Sequence, residues 1–181
     1  MDYEKILQTV KEDLVQEGLD CMVLADKDAF QTKLLIYSGE DQEKRMRLIE
    51  VKVQAKSGNP LQLKETGQDC VAFQLDAFFP FTVDDLSMSD VAQFLHFLNL
   101  QIEIPGFYLN HIDNTIVYRY VLLAEDQHIP KRILLSLIGI AMMLQDVFGQ
   151  TLERLSLGQV SFVELMEEIQ SVMEKAMTKF S

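Results

Sequence analysis

The sequence predicts an α+β fold with an antiparallel sheet flanked by helices. Segments that read as strands follow one another between residues 19 and 81, and polar turns rather than helices join them. Two further extended runs, 106–110 and 115–123, flank a tight polar turn before the helical end of the chain. Strands joined by short turns pair antiparallel, whereas parallel strands need a long crossover.

An amphipathic helix opens the chain over residues 2–16, where apolar residues recur at helical spacing, and Gly18 is its predicted stop. A short strand at 19–24 and an extended segment at 33–37 follow. The next segment, 38–44, is charged and contains Gly39, which predicts a turn.

The strand at 46–54 has the clearest pattern of the chain. Ile49, Val51 and Val53 alternate with Glu50, Lys52 and Gln54, the period of two typical of a half-buried antiparallel strand. The apolar and aromatic segment 70–81 predicts another strand, whose pairing Pro80 limits.

A helix is predicted at 91–100, where Ser87 and Asp90 have the spacing of a capping box. It leads into the hairpin, whose turn contains Asp113-Asn114, residues that tolerate a positive φ. The next helix begins near Pro130 and is apolar on nearly every face, so we expect it to be covered on most sides, and Gly149 is its predicted end.

The last helix is predicted at 161–180, with Ser161 and Glu164 as a capping box. Its apolar face packs either on its own chain or on a partner, and the sequence leaves both alternatives open. Met142 and Met143 of the preceding helix likewise suit either a core or an adaptable groove. We predict one domain over residues 1–181, with the helix 161–180 as a candidate addition to it.

The balance of 16 basic and 28 acidic residues gives a net charge of −12. Such a surface repels nucleic acid and anionic membrane, so neither is expected as a partner. Residues 133–144, the longest apolar stretch, are fewer than the ~20 needed to span a bilayer. The two cysteines, Cys21 and Cys70, have apolar neighbours and are expected to be reduced core residues of a cytoplasmic protein.

No catalytic, cofactor-binding or metal-ligating motif occurs in the sequence, and we expect a protein that is not an enzyme and has no cofactor. His96 is predicted to be a partly buried structural residue, and His111 and His128 to be exposed. The alternative is a metal-dependent enzyme in which these three histidines meet through space.

Several segments together resemble a known family. These are Phe94–Leu98 with Asn99, Gly106-Phe107, Ile116-Val117-Tyr118-Arg119, and the apolar helix that follows to Phe148. Their order is similar to that of YbjN-like proteins, which share the fold of class I type III secretion chaperones. The resemblance covers residues 86–155 well and residues 2–53 only by element order.

The resemblance implies a protein-binding module. Chaperones of this kind are small, acidic, cytoplasmic homodimers that hold an unfolded segment of a secreted effector on apolar surface patches. The matching elements would place Phe94, Phe97 and Tyr120 at a dimer or partner interface, and Arg119 beside them would need a carboxylate or carbonyl partner. The alternatives are ordinary packing of these four residues, and a YbjN-like regulator or scaffold that binds no unfolded client.

Overall fold

The computed structural model describes residues 3–26, 31–55, 71–124 and 129–179. It confirms the α+β class: within these residues a six-stranded antiparallel sheet has the order β1-β2-β3-β4-β6-β5 and is accompanied by four α-helices. The helices are α1 Tyr3–Gln16, α2 Met88–Gln101, α3 Lys131–Ser156 and α4 Phe162–Lys179. The strands are β1 Cys21–Asp26, β2 Gln31–Glu40, β3 Met46–Ala55, β4 Val71–Thr82, β5 Phe107–Asn110 and β6 Thr115–Ala124.

Contacts divide the chain into two compact units. The first comprises Met1–Pro80 and Tyr118–Asp146, and the second comprises Phe81–Val117 and Val147–Ser181.

In the first unit, one face of the sheet is packed against helices, and we call it the covered face. Antiparallel pairing of β2 with β3 places Leu34 opposite Val51 and Ile36 opposite Ile49, and all four side chains are buried. Helix α1 contacts β1, β2 and β3 and buries its own apolar stripe, Leu7, Val10 and Leu14. This packing accounts for the amphipathic pattern of the first helix.

Helix α3 joins the same face through polar contacts. The buried Gln145 side chain donates a hydrogen bond to the carbonyl oxygen of Phe78 over 2.8 Å and accepts one from the Ser38 hydroxyl over 3.2 Å. The next residue, Asp146, forms an ion pair with Arg47 of β3. The bonds of Gln145 give a partner to its own buried amide group and to the buried hydroxyl of Ser38.

The predicted stop of α1 is confirmed. Gly18 has φ +83°, and the amide of Leu19 donates to the carbonyl of Leu14 over 3.1 Å, which closes the helix in the left-handed conformation that favours glycine. The turn predicted at 38–44 is shorter than expected. Gly39, with φ +96°, lies within β2 at a register shift relative to β3, and the turn is confined to the residues after Glu40.

The prediction that Gly149 ends α3 is wrong. The helix continues to Ser156 and closes at Gly158, with φ +64° and a bond from the amide of Gln159 to the carbonyl of Arg154. Most positions of α3 are buried or half-buried, and one strip that includes Ile133, Met143 and Val147 is exposed. Its 26 residues are long and apolar enough to cross a membrane by length and composition, and 33% of its most apolar window is buried.

In the second unit, α2 is linked to the β5–β6 hairpin. The predicted hairpin is confirmed, and Asn114 in its turn has φ +53°. The expected capping box of α2 is absent, since Ser87 makes no side-chain capping bond at the start of this helix. A one-turn 3-10 helix, Asp85–Ser87, precedes α2 instead and buries the Ser87 side chain.

Asn99 joins α2 to the start of β5. Its side-chain oxygen accepts hydrogen bonds from the amides of Gly106 and Phe107, both at 3.0 Å, and its amide nitrogen donates to the carbonyl of Phe107 at 2.8 Å. One half-buried side chain therefore satisfies three backbone groups between the helix and the strand. The Asn99 and Gly106-Phe107 elements noted in the sequence are thus in direct contact.

Replacing Asn99 by alanine is expected to lower the free energy of unfolding by about 2–3 kcal/mol, because three backbone groups lose their partner. Asn99→Asp keeps the acceptor and loses the donor, so its loss should be smaller. Urea unfolding of the two variants and the wild type measures the difference. Equal stability of Asn99→Ala and wild type would contradict this role.

Candidate functional site

The opposite face of the first unit's sheet carries the densest group of charged side chains, and we call it the open face. Pairing places Lys33 opposite Lys52, Leu35 opposite Glu50, and Glu50 opposite Asp76, all on this face. Helices α1 and α3 contact the covered face, and in the described part of the first unit no helix lies over the open face.

Glu50 stands at the centre of the open face. Its carboxylate is buried, with Lys33 Nζ 2.7 Å from one oxygen and Lys52 Nζ on the other. Alternation in β3 predicted a solvent-facing residue here. The two lysines that pair with the buried carboxylate come from β2 (Lys33) and from β3 itself (Lys52).

Asp76 lies beside Glu50 and is only 1% exposed. Its two oxygens accept bonds from Arg119 Nε at 2.6 Å and Arg119 Nη2 at 3.1 Å, a fork that a guanidinium makes with a carboxylate. Gln74 donates a further bond at 2.7 Å, and Lys52 Nζ lies 4.0 Å away. Of the two kinds of partner predicted for Arg119, a carboxylate or a carbonyl, the structure gives it the carboxylate of Asp76.

The two carboxylates are buried beneath three partly exposed cationic side chains, those of Lys33, Lys52 and Arg119. These five side chains have a net charge of +1, whereas the whole chain has a net charge of −12. Within this group the three cationic side chains outnumber the two carboxylates by one.

Apolar side chains surround the charged group. Met22 of β1, Tyr37 of β2, and Val121 and Leu123 of β6 are all exposed, Leu123 by 59%. By strand alternation Val121 and Leu123 project to the same side as Arg119. Exposed apolar residues around paired charges are typical of surfaces that contact another protein.

The four residues predicted at an interface fall into two places. Phe94 is buried in the second unit and stacks on the half-buried Phe97, with ring centroids 6.1 Å apart. Tyr120 and Arg119 are neighbours in β6 of the first unit and so project to opposite faces. Phe94 and Phe97 belong to the second unit, and Tyr120 projects to the covered face. Of these four residues, Arg119 is therefore the one on the open face.

The other predicted functional residues do not form a site. His96 is exposed on α2, which corrects the expectation of partial burial, and His111 is exposed at the hairpin turn as predicted. In the described ranges, no three His, Cys, Asp or Glu side chains are placed to share a metal ion. His128 and Cys70 lie outside the described residues.

Cys21 is a free thiol that is half-buried rather than a core residue. Its sulfur lies 3.8 Å from the carbonyl oxygen of Lys11, and burial raises the pKa of the thiol. A thiol held protonated in this way is a poor nucleophile.

A second surface lies on α4. The predicted capping box is confirmed: the amide of Ser161 donates to the Glu164 carboxylate over 2.8 Å, which lowers the pKa of Glu164, and the amide of Glu164 donates to the Ser161 hydroxyl over 3.3 Å. The proximal half is held by Leu165, 3% exposed, and by the ion pair of Arg154 with Glu168.

The distal half of α4 has no such cover. The apolar stripe that begins with Leu165 continues to Val172 and Met173, which are exposed. Val172, the more exposed of the two, is 66% accessible. The sequence left open whether this helix packs on its own chain or on a partner, and the structure shows that its proximal half packs within the second unit.

Comparison of the sequence with protein-family models and with curated proteins found no match.

Proposed function

We propose that this chain is a non-catalytic, cytoplasmic protein-binding module of the type III secretion chaperone kind, which acts as a homodimer and engages another protein through the open face. The observation that carries the proposal is that apolar residues remain exposed on this face while both helices of the first unit pack on the other. Exposed apolar side chains grouped on one sheet face are typical of an interaction surface.

The charge network supports this role. Internal pairing leaves each carboxylate satisfied, so the open face can be covered by a partner without leaving an isolated buried charge. A secreted effector segment held in this way would be a client of a chaperone.

The test is site-specific photo-crosslinking in the cells that produce the protein. A photo-reactive phenylalanine analogue is placed at Val121 or Leu123 on the open face, and at Ile112, which is 91% exposed in the hairpin turn, as a matched control. We expect a defined heterologous protein to crosslink from the first two positions and not from the third.

The identity of the crosslinked protein separates the two forms of the proposal. A secreted protein supports a chaperone, and a protein that is not exported supports the alternative of a YbjN-like regulator or scaffold. The same crosslinks from Ile112 as from Val121, or none from the open face, would overturn the proposal.

A further inference from the structure

We propose that the exposed side of α3 in the first unit packs antiparallel against the same side of a second copy. Five exposed residues define this surface, which we call the α3 strip: Arg132, Ser136, Gly139, Met143 and Asp146. The inference rests on the proposed function, because it gives the homodimer of that proposal its contact. The open face stays free for another protein.

The first argument is the uncovered side of an apolar helix. Only 33% of the most apolar window of α3 is buried, and Ile133 and Met143 are exposed. A helix that is apolar on most sides is normally covered. The members of the α3 strip are spaced four, three, four and three residues apart, the spacing that keeps two packed helices in contact. A second helix is therefore the cover that suits this side.

The second argument is shape. Ser136 and Gly139 are small, and a Cβ added at Gly139 would meet nothing within 4 Å in the described part of the chain. Beside them lies an open groove of about 580 Å³, lined by Glu17, Lys131, Arg132, Leu135 and Ser136. A two-fold axis between Gly139 and Ile140 places Met143 of each copy over Ser136 of the other. A flexible methionine is suited to fill such a groove.

The third argument is charge. With the same axis, Arg132 of each copy lies beside Asp146 of the other. Asp146 pairs with Arg47 but is 64% exposed, so its carboxylate can accept a second cation. Two copies with a net charge of −12 repel one another over most of their surfaces. The α3 strip carries one charge of each sign at its two ends, so it attracts its own copy in the antiparallel orientation and repels it in the parallel one.

The size of the α3 strip sets the strength of the dimer. From Arg132 to Asp146 it spans about 21 Å, or about four helical turns. Two helices in contact over this length bury less than the ~800 Å² per partner of a standard interface. We therefore expect a dimer that dissociates at concentrations on the order of micromolar.

Light scattering on the full chain tests the contact. The mass of the wild type should rise with concentration from 20.8 kDa to about twice this value. Met143→Glu should raise the dissociation constant about 100-fold, tenfold for each of the two symmetry-related methionines. The matched control is Met22→Glu on the open face, since Met22 is 54% exposed and Met143 is 53% exposed. This control should leave the dissociation constant unchanged.

A charge exchange tests the orientation. Arg132→Glu places two acidic residues together at both ends of an antiparallel contact and should raise the dissociation constant about tenfold. Arg132→Glu with Asp146→Lys in one chain restores opposite charges across the contact and should restore the dimer. In a parallel contact, the double variant would still bring like charges together.

Cysteine crosslinking locates the two-fold axis. Gly139→Cys lies beside the axis, so oxidation should join two copies through a disulfide. Ser136→Cys is the matched control, because the two copies of this position lie about 10 Å apart along the helices. The wild type, which contains Cys21 and Cys70, gives the background. Equal crosslinking of the two variants would indicate a parallel contact and contradict the inference.

A wild type that is still monomeric at ~100 μM, or a dimer weakened by Met22→Glu and not by Met143→Glu, would also overturn the inference. Far-UV circular dichroism checks that each variant keeps its helices. The crosslink from Val121 separates this inference from the proposed function. A monomeric wild type that still crosslinks a heterologous protein removes the α3 contact and leaves the open face as a binding surface. A dimer through α3 without that crosslink does the reverse.

Discussion

Arg119→Ala is expected to lower the free energy of unfolding by about 3 kcal/mol. The substitution removes the fork of two bonds to Asp76. It leaves a carboxylate that is 1% exposed, with a hydrogen bond from Gln74 and with Lys52 Nζ 4.0 Å away. The expected loss of stability is at the low end of the range for breaking a buried ion pair, because 40% of the Arg119 side chain is exposed. Water can therefore enter the space that the side chain leaves.

The matched control removes both charges. Asp76→Leu with Arg119→Met replaces the pair by apolar side chains and should lie within about 1 kcal/mol of wild type. Lys33→Ala should also have a small effect, because Glu50 keeps the ion pair with Lys52. Urea unfolding monitored by circular dichroism measures all three. A double variant as unstable as Arg119→Ala would show that the loss comes from packing and not from the unpaired carboxylate.

The pairing of Asp76 with Arg119 has a signal in the sequence. Asp76 is the single charge in the apolar strand 71–82, and Arg119 is the single charge in 115–124. Opposite charges isolated in two apolar strands are expected to meet, since a buried charge needs a partner. A carboxylate or carbonyl partner was predicted for Arg119. The identity of that partner depends on β4 lying next to β6, a pairing that no local pattern specifies.

The strands themselves could be predicted because a period of two and turn residues are local features. Gly18 correctly predicted the end of α1, and Ser161 with Glu164 correctly predicted the start of α4. Gly149 did not mark the end of α3. A glycine inside a long helix is tolerated when the residues after it continue the apolar stripe, as the buried Leu152 and Leu155 do here. The left-handed Gly158 is the actual end.

The open face could not be predicted from the sequence. In β3, alternation correctly assigned Ile49, Val51 and Val53 to one side, but it cannot tell which side of a sheet the helices cover. Phe94 and Arg119 were grouped through a resemblance to chaperones, whereas the structure buries Phe94 in the second unit and places Arg119 on the open face of the first. Which faces stay uncovered is a property of the tertiary packing, and it determines where a partner can bind.

Leu165→Ala is expected to cost about 2–4 kcal/mol of unfolding free energy, because the side chain is 3% exposed and its removal leaves a cavity. Val172→Ala, seven residues further along the same stripe, should change the stability of the monomer by less than about 0.5 kcal/mol, since Val172 is 66% exposed. Urea unfolding at a protein concentration low enough to keep the chain monomeric gives both values.

The dependence of stability on protein concentration distinguishes packing of α4 on its own chain from packing on a second copy. If the distal half of α4 packs on a second copy, the stability of wild type rises with protein concentration by mass action, whereas that of Val172→Ala rises less. The Leu165→Ala loss should be the same at low and high concentration, because this residue packs within its own unit. A large Val172→Ala loss in the dilute monomer would instead mean that the whole of α4 packs on its own chain.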